Sequence, residues 1–148
     1  MLFRSLSAPV GSVLCGTKAF IERARTFRRM VGGNMRQAGS LAAAGIVALN
    51  TMVDRLKEDH ANAKKLAAGL EKIDARFCRA ADVETNLVRV DVSFTGRSAE
   101  QWSQLLAKHN IAVAPADSRS LRFVTHRHIS ASDVDSAVTA MAATAQTA

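Results

Sequence analysis

Residues 87–92 read Leu87-Val88-Arg89-Val90-Asp91-Val92, with a valine at every second position. Successive side chains of a strand point to opposite faces, so this alternation describes a strand with one dry face and one wet face. Such strands belong in antiparallel sheets covered on one side only. Two more short apolar runs lie downstream, Ile111-Ala112-Val113 and Leu121-Arg122-Phe123-Val124, separated by the turn-like stretch 115–118. They predict two further strands. Between the first strand and these, Gly96 marks a turn and Ser98 caps a helix that ends near His109, with Trp102, Leu105 and Leu106 inward. Ser130 or Ser132 opens a last helix with Val134, Val138 and Met141 inward. Strand, helix, two strands and helix make a small α+β layer, helices on one face of an antiparallel sheet.

Upstream the period changes. Leu49, Val53, Leu56, His60, Ala63, Ala67 and Leu70 recur at spacings of four and three, with Asp54, Lys57, Glu58, Asp59, Lys64 and Lys65 on the opposite side. This predicts one long helix, begun near Met35 and ending near Lys72. Its first part, residues 38–45, is small and apolar and is expected to be buried against a neighbour. Before it, Gly32-Gly33 stops an amphipathic helix that runs from Lys18 to about Met30 behind the cap residue Thr17. Asn34 is placed to cap the helix that follows. The run 8–15, Ala-Pro-Val-Gly-Ser-Val-Leu-Cys, reads as a short buried strand. The chain thus divides into residues 1–73 and 74–148, with loop 74–86 as the boundary.

The 148 residues suffice for one ordinary domain, and 48% of them are apolar. The formal charge is +7, but it is concentrated. Residues 1–37 carry seven Arg or Lys against Glu22 alone, 7 − 1 = +6, which leaves the remainder nearly neutral. Clustered arginines attract phosphates without sequence preference, yet no aromatic residues interleave with them for base stacking and no nucleic-acid motif accompanies them. A basic nucleic-acid module, or a helical interaction module using the 49–70 stripe, is therefore the alternative reading. No run of 18 apolar residues suggests a membrane span. Cys15 and Cys78 are far apart, without metal-ligand spacing. Residues 1–20 have the composition of a mitochondrial transit peptide, but Pro9, Gly11 and Gly16 would break its helix. A cytoplasmic location is expected, with the mitochondrion as the alternative.

Three stretches carry a resemblance. Ala8-Pro9-Val10-Gly11-Ser12 followed by Gly16 is the first, Gly32-Gly33-Asn34-Met35-Arg36-Gln37 with its alanine-rich continuation the second, and Leu121-Arg122-Phe123-Val124-Thr125-His126 the third. With Arg55-Leu56-Lys57-Glu58-Asp59-His60 and Thr85-Asn86 between them, their order and spacing are similar to those of the low-specificity threonine aldolases. The resemblance covers nearly all of the chain from about Leu6. It implies the fold-type I architecture of pyridoxal-phosphate enzymes, an α/β fold. Residues 1–73 would be the end of the large cofactor domain (strand, helix, long helix), and residues 74–148 the small C-terminal α+β domain. It implies retro-aldol cleavage of threonine or allo-threonine to glycine and acetaldehyde, with the cofactor ring as electron sink.

By the same resemblance, Arg122 grips the substrate carboxylate, His126 lines the same site, and Arg36 bonds the cofactor phosphate or a neighbouring subunit. Asn34 stands where the family usually has glycine. The lysine that forms the Schiff base sits, in the family, in a Lys-Gly-Leu-Gly context just before the Ala-Pro-Val-Gly-Ser run. Here that stretch reads Arg4-Ser5-Leu6-Ser7. A guanidinium that is always protonated cannot form an imine. The chain is accordingly expected to be the C-terminal half of such an enzyme, without catalytic lysine or metal, inactive alone and not binding pyridoxal phosphate by itself. The partners implied are an amino-acid substrate and either a second copy or a full-length homologue.

Overall fold

The computed structural model describes residues 6–9 and 12–146. They form two compact units, residues 1–55 and 56–148.

The N-terminal unit holds two helices, α1 (Lys18–Met30) and α2 (Gly39–Thr51). Thr17 begins α1 as its spacing suggests, its Oγ1 accepting the Phe20 N–H at 3.3 Å. Gly32, at φ +74°, ends it: the Gly33 N–H reaches the Arg28 carbonyl and the Gly32 N–H that of Arg29, closing the last turn. Asn34 does not cap α2. Its Oδ1 accepts from the Arg28 guanidinium, and Gln37 at φ +53° turns the chain so that Ala38, without a side-chain bond, occupies the cap position. The expected burial of residues 38–45 is met only at Gly45. No charged residue interrupts α2, so its apolar side chains run all round it, and Ile46 and Val47 stand 58% and 60% exposed. Among the described residues, 8–9 and 12–15 form no buried strand. Val13 and Leu14 are exposed in irregular chain, while Val10 and Gly11 fall outside the described residues.

The long helix is two helices. It breaks after Thr51, where α2 ends. The chain resumes as α3 (Leu56–Ile73), the first element of the C-terminal unit. The compact units part at residue 55, and α3 packs along α5 and against β1. Ala63, Ala67 and Leu70 of the stripe are buried as read. Asp59 is not on the wet side: it is 1% exposed, and its carbonyl receives the Thr125 hydroxyl at 2.6 Å.

Then come β1 (Leu87–Asp91), α4 (Ala99–Ala107), β2 (Ala114–Pro115), β3 (Ser120–Val124) and α5 (Ala131–Gln146). The sheet is antiparallel in the order β1-β3-β2, with Val88 opposite Phe123, Arg89 opposite Arg122 and Val90 opposite Leu121. Val88, Val90, Leu121 and Phe123 turn one face into the core with Phe77, Leu70, Trp102, Leu106, Val134 and Met141. Trp102 meets the Phe77 ring edge-on at 5.7 Å and donates its indole N–H to Thr95 at 2.8 Å, so its one polar atom is satisfied in the interior. The α4 cap is a full capping box between Ser98 and Gln101. The expected strand 111–113 is replaced by the two-residue β2. The Val113 carbonyl is taken by the Ser103 hydroxyl of α4 at 2.7 Å and is lost to the ladder. The other face of the sheet, with Leu87, Arg89, Arg122 and Val124, is exposed.

Candidate active site

The sheet's register puts Arg122 on the open face, because its neighbours Leu121 and Phe123 are the ones the core takes. The strand then ends at a well-anchored turn. Buried Thr125 donates its N–H to the Asn86 carbonyl at 3.0 Å and its hydroxyl to Asp59, and Asn86 Nδ2 returns a bond to the Thr125 carbonyl at 2.8 Å. These bonds fix the backbone from which His126 projects. His126 Nδ1 accepts the His128 N–H at 3.3 Å, and the two rings meet edge-on at 5.7 Å.

Arg122, His126 and His128 line one groove of 740 Å³, closed beneath by Leu66, Phe123 and Val134. His109 and Asp133 reach it from α4's end and from α5. The Ser130 hydroxyl and backbone N–H both bond Asp133 and hold its carboxyl below the usual carboxylate range, so it stays ionised. Among the described residues no side chain bonds the Arg122 guanidinium, which leaves its donors for a ligand. A fixed cation and an ionised carboxylate in one apolar groove suit a small zwitterion.

Arg122 and His126 thus come together as the sequence suggests. Arg36 does not join them within one unit: it lies exposed in the turn before α2, in the N-terminal unit. Arg4 falls outside the described residues. No lysine lines the groove, so its residues do not by themselves fit pyridoxal phosphate, which needs an amine for its aldehyde. Among the described residues no cluster of three or more His, Cys, Asp or Glu side chains is placed to hold a metal. Neither is any helix among them long and apolar enough to cross a membrane. Sequence reasoning passed over Arg89, Asp117, His109, His128 and Asp133. Arg89 sits in the quoted alternation, but its partner across the sheet depends on register.

A family model described as beta-eliminating lyase matches residues 2–93, more than half of the chain. The chain belongs to the beta-eliminating lyase family. Among relatives of known name, the low-specificity L-threonine aldolase 1 of Arabidopsis thaliana is 41% identical over 134 residues, 90% of this chain and 37% of that protein. The low specificity L-threonine aldolase of Escherichia coli K12 is 40% identical over 129 residues, 87% of this chain and 37% of its own length. A Candida albicans low-specificity L-threonine aldolase is 30% identical over 135 residues. The chain spans little more than a third of the length of these relatives.

Proposed function

We propose that residues 56–148 are the substrate-carboxylate-binding part of a threonine aldolase, and that the chain alone does not cleave threonine. The single observation that carries the first half is Arg122, exposed on the open sheet face at the lip of the groove, with no internal bond to break before it takes a ligand. A planar guanidinium accepts a carboxylate through two parallel N–H···O bonds and so sets the plane of the group as well as its position. Fixing that plane orients the bond between Cα and Cβ of a β-hydroxy amino acid, which is the contribution a binding domain makes to its cleavage. Asp133 is the groove's counter-charge for the ammonium group, and His126 and His128 are its hydrogen-bonding wall.

The second half is supported by two readings: by the resemblance, Arg4 stands where the family's Schiff-base lysine belongs, and the groove offers no lysine in its place. On this reading Arg36 meets the phosphate of the cofactor, or a neighbouring subunit, only in an assembly with a full-length homologue or a second copy. The bare apolar surface of α2, with Ile46 and Val47 outward, supports such an association.

Incubation of the full chain with pyridoxal phosphate, borohydride reduction and peptide mass spectrometry tests it. Reduction turns any imine into a stable adduct on a mappable lysine. The expected spectrum shows no site-specific adduct, and no acetaldehyde forms from threonine. One stoichiometric adduct on a single lysine, with acetaldehyde released, would overturn the second half of the proposal.

A further inference from the structure

Arg89 and Arg122 face each other directly across β1 and β3, on the same open face. Side chains so paired have Cβ atoms about 5 Å apart, and like charges there repel. If both stems stood upright, both guanidiniums would meet at one point, ready to share one anion. They do not. Arg89 leans toward the turn after β2, where its Nε donates to Ser120 Oγ at 3.0 Å and its terminal nitrogen to Asp117 Oδ2. Ser120 Oγ also donates to Asp117 Oδ2 at 2.9 Å, and the Arg119 N–H donates to Asp117 Oδ1 at 2.8 Å. Asp117 therefore holds a small network that engages both its oxygens. These bonds also keep its carboxyl below the usual carboxylate range, with the Arg119 N–H the largest cause, so the tether stays charged at neutral pH.

We propose that Asp117 is a positioning residue for the carboxylate site: by holding Arg89 away from Arg122 it presents a single guanidinium, and so selects ligands with one carboxylate over those with two. The inference rests on the reading of Arg122 as the carboxylate-binding residue and adds to it the class of ligand admitted. It follows from charge placement. With Arg89 tethered and neutralised, the open face above Arg122 carries one unpaired positive charge, sufficient for one carboxylate. With Arg89 released, two adjacent forks would grip a dianion at both ends. Cross-strand repulsion is relieved by the tether in the first case and by the ligand in the second.

The test titrates the full chain with acetate and with malonate while following the arginine Nε–Hε signals by ¹H–¹⁵N NMR. In the unaltered protein the Arg122 signal should move with both anions and the Arg89 signal with neither. Asp117→Asn keeps an oxygen for the Arg119 N–H but removes the charge that holds Arg89. It should bring the Arg89 signal into the malonate titration and raise the malonate-to-acetate affinity ratio about tenfold, the effect of one added charge-assisted contact. Asp117→Glu should restore the original ratio, and Arg89→Gln combined with Asp117→Asn should abolish the gain. Arg89→Gln alone, which leaves the turn intact, should not change the ratio. An Arg122 signal that responds normally with an unchanged ratio in Asp117→Asn would overturn this inference and leave the carboxylate site standing. A changed ratio in Arg89→Gln alone would also overturn it. An Arg122 signal silent to both anions would overturn the carboxylate reading, and the inference with it.

Discussion

Gly69→Ala tests the packing that holds the site's scaffold together. Gly69 lies on α3 where α5 crosses it, and a Cβ there would fall 2.5 Å from Val138 Cγ2 and 3.0 Å from Val138 Cγ1. Both distances are too short for carbon against carbon. Valine in a helix keeps essentially one χ1 rotamer, so Val138 cannot swing aside and the helices must move instead. Two effects oppose. Alanine is better than glycine inside a helix by about 1 kcal/mol. Overpacking of a well-filled contact costs about 1–3 kcal/mol. The balance is a net loss of about 1 kcal/mol, or a fall in Tm of about 4–8 °C for a domain of this size. In a Val138→Ala background both clashing carbons are gone, and the same Gly69→Ala change should stabilise by up to about 1 kcal/mol. The sign should therefore reverse, with a coupling of about 2 kcal/mol between the two sites. Urea unfolding followed by the fluorescence of Trp102, the single tryptophan and fully buried, reads both backgrounds. If Gly69→Ala stabilises equally in both, α3 and α5 do not meet at this point and the account of the core is wrong.

Three further outcomes follow from particular contacts. Ser98→Ala removes the side-chain half of the α4 capping box, the Gln101 N–H bond to Ser98 Oγ, and should cost about 1 kcal/mol in urea unfolding, while Ser98→Asp should cost much less. Burial, reinforced by the Glu71 carboxylate, pushes the Cys78 thiol up to about 11, so a thiol-disulfide reagent at pH 8 should label exposed Cys15 quickly and half-buried Cys78 far more slowly. The Arg76 side chain and backbone hold Asp74 at about 2 against an ordinary 3.8. A carboxyl depressed in the folded state lends stability that is complete above pH 4 and is lost as pH falls toward 2. In Arg76→Gln most of that contribution should be absent at every pH, so stability should fall less steeply between pH 4 and pH 2 than in the unaltered protein.

The parts legible in the sequence were those where one face of one element decides the outcome. The valines at 88 and 90 could only be a dry strand face, and the box at Ser98 and Gln101 identifies itself by spacing. Failures came where a side chain outside the pattern redirected the backbone. Ser103 takes the Val113 carbonyl and shortens a strand. The helix ends at Thr51 although its apolar stripe continues beyond it. Asp59 read as wet because it is charged, yet it lies beneath Thr125, a contact made across 66 residues of sequence. At the site, the family's motif made Arg122 visible, whereas Arg89 became informative only once the register set it opposite.

The strand order β1-β3-β2 has a consequence for how the protein is made. Val88 finds its partner in Phe123, and the stripe of α3 finds its cover in α5, so both early elements wait for the last quarter of the chain. During synthesis a ribosome therefore extrudes a strand and a helix stripe that cover each other only in part, the rest of their apolar faces staying bare until β3 and α5 follow. Such surfaces attract holdase chaperones or one another. A premature stop anywhere before about Val134 leaves the α3 stripe without its α5 cover, so the C-terminal unit does not complete its core.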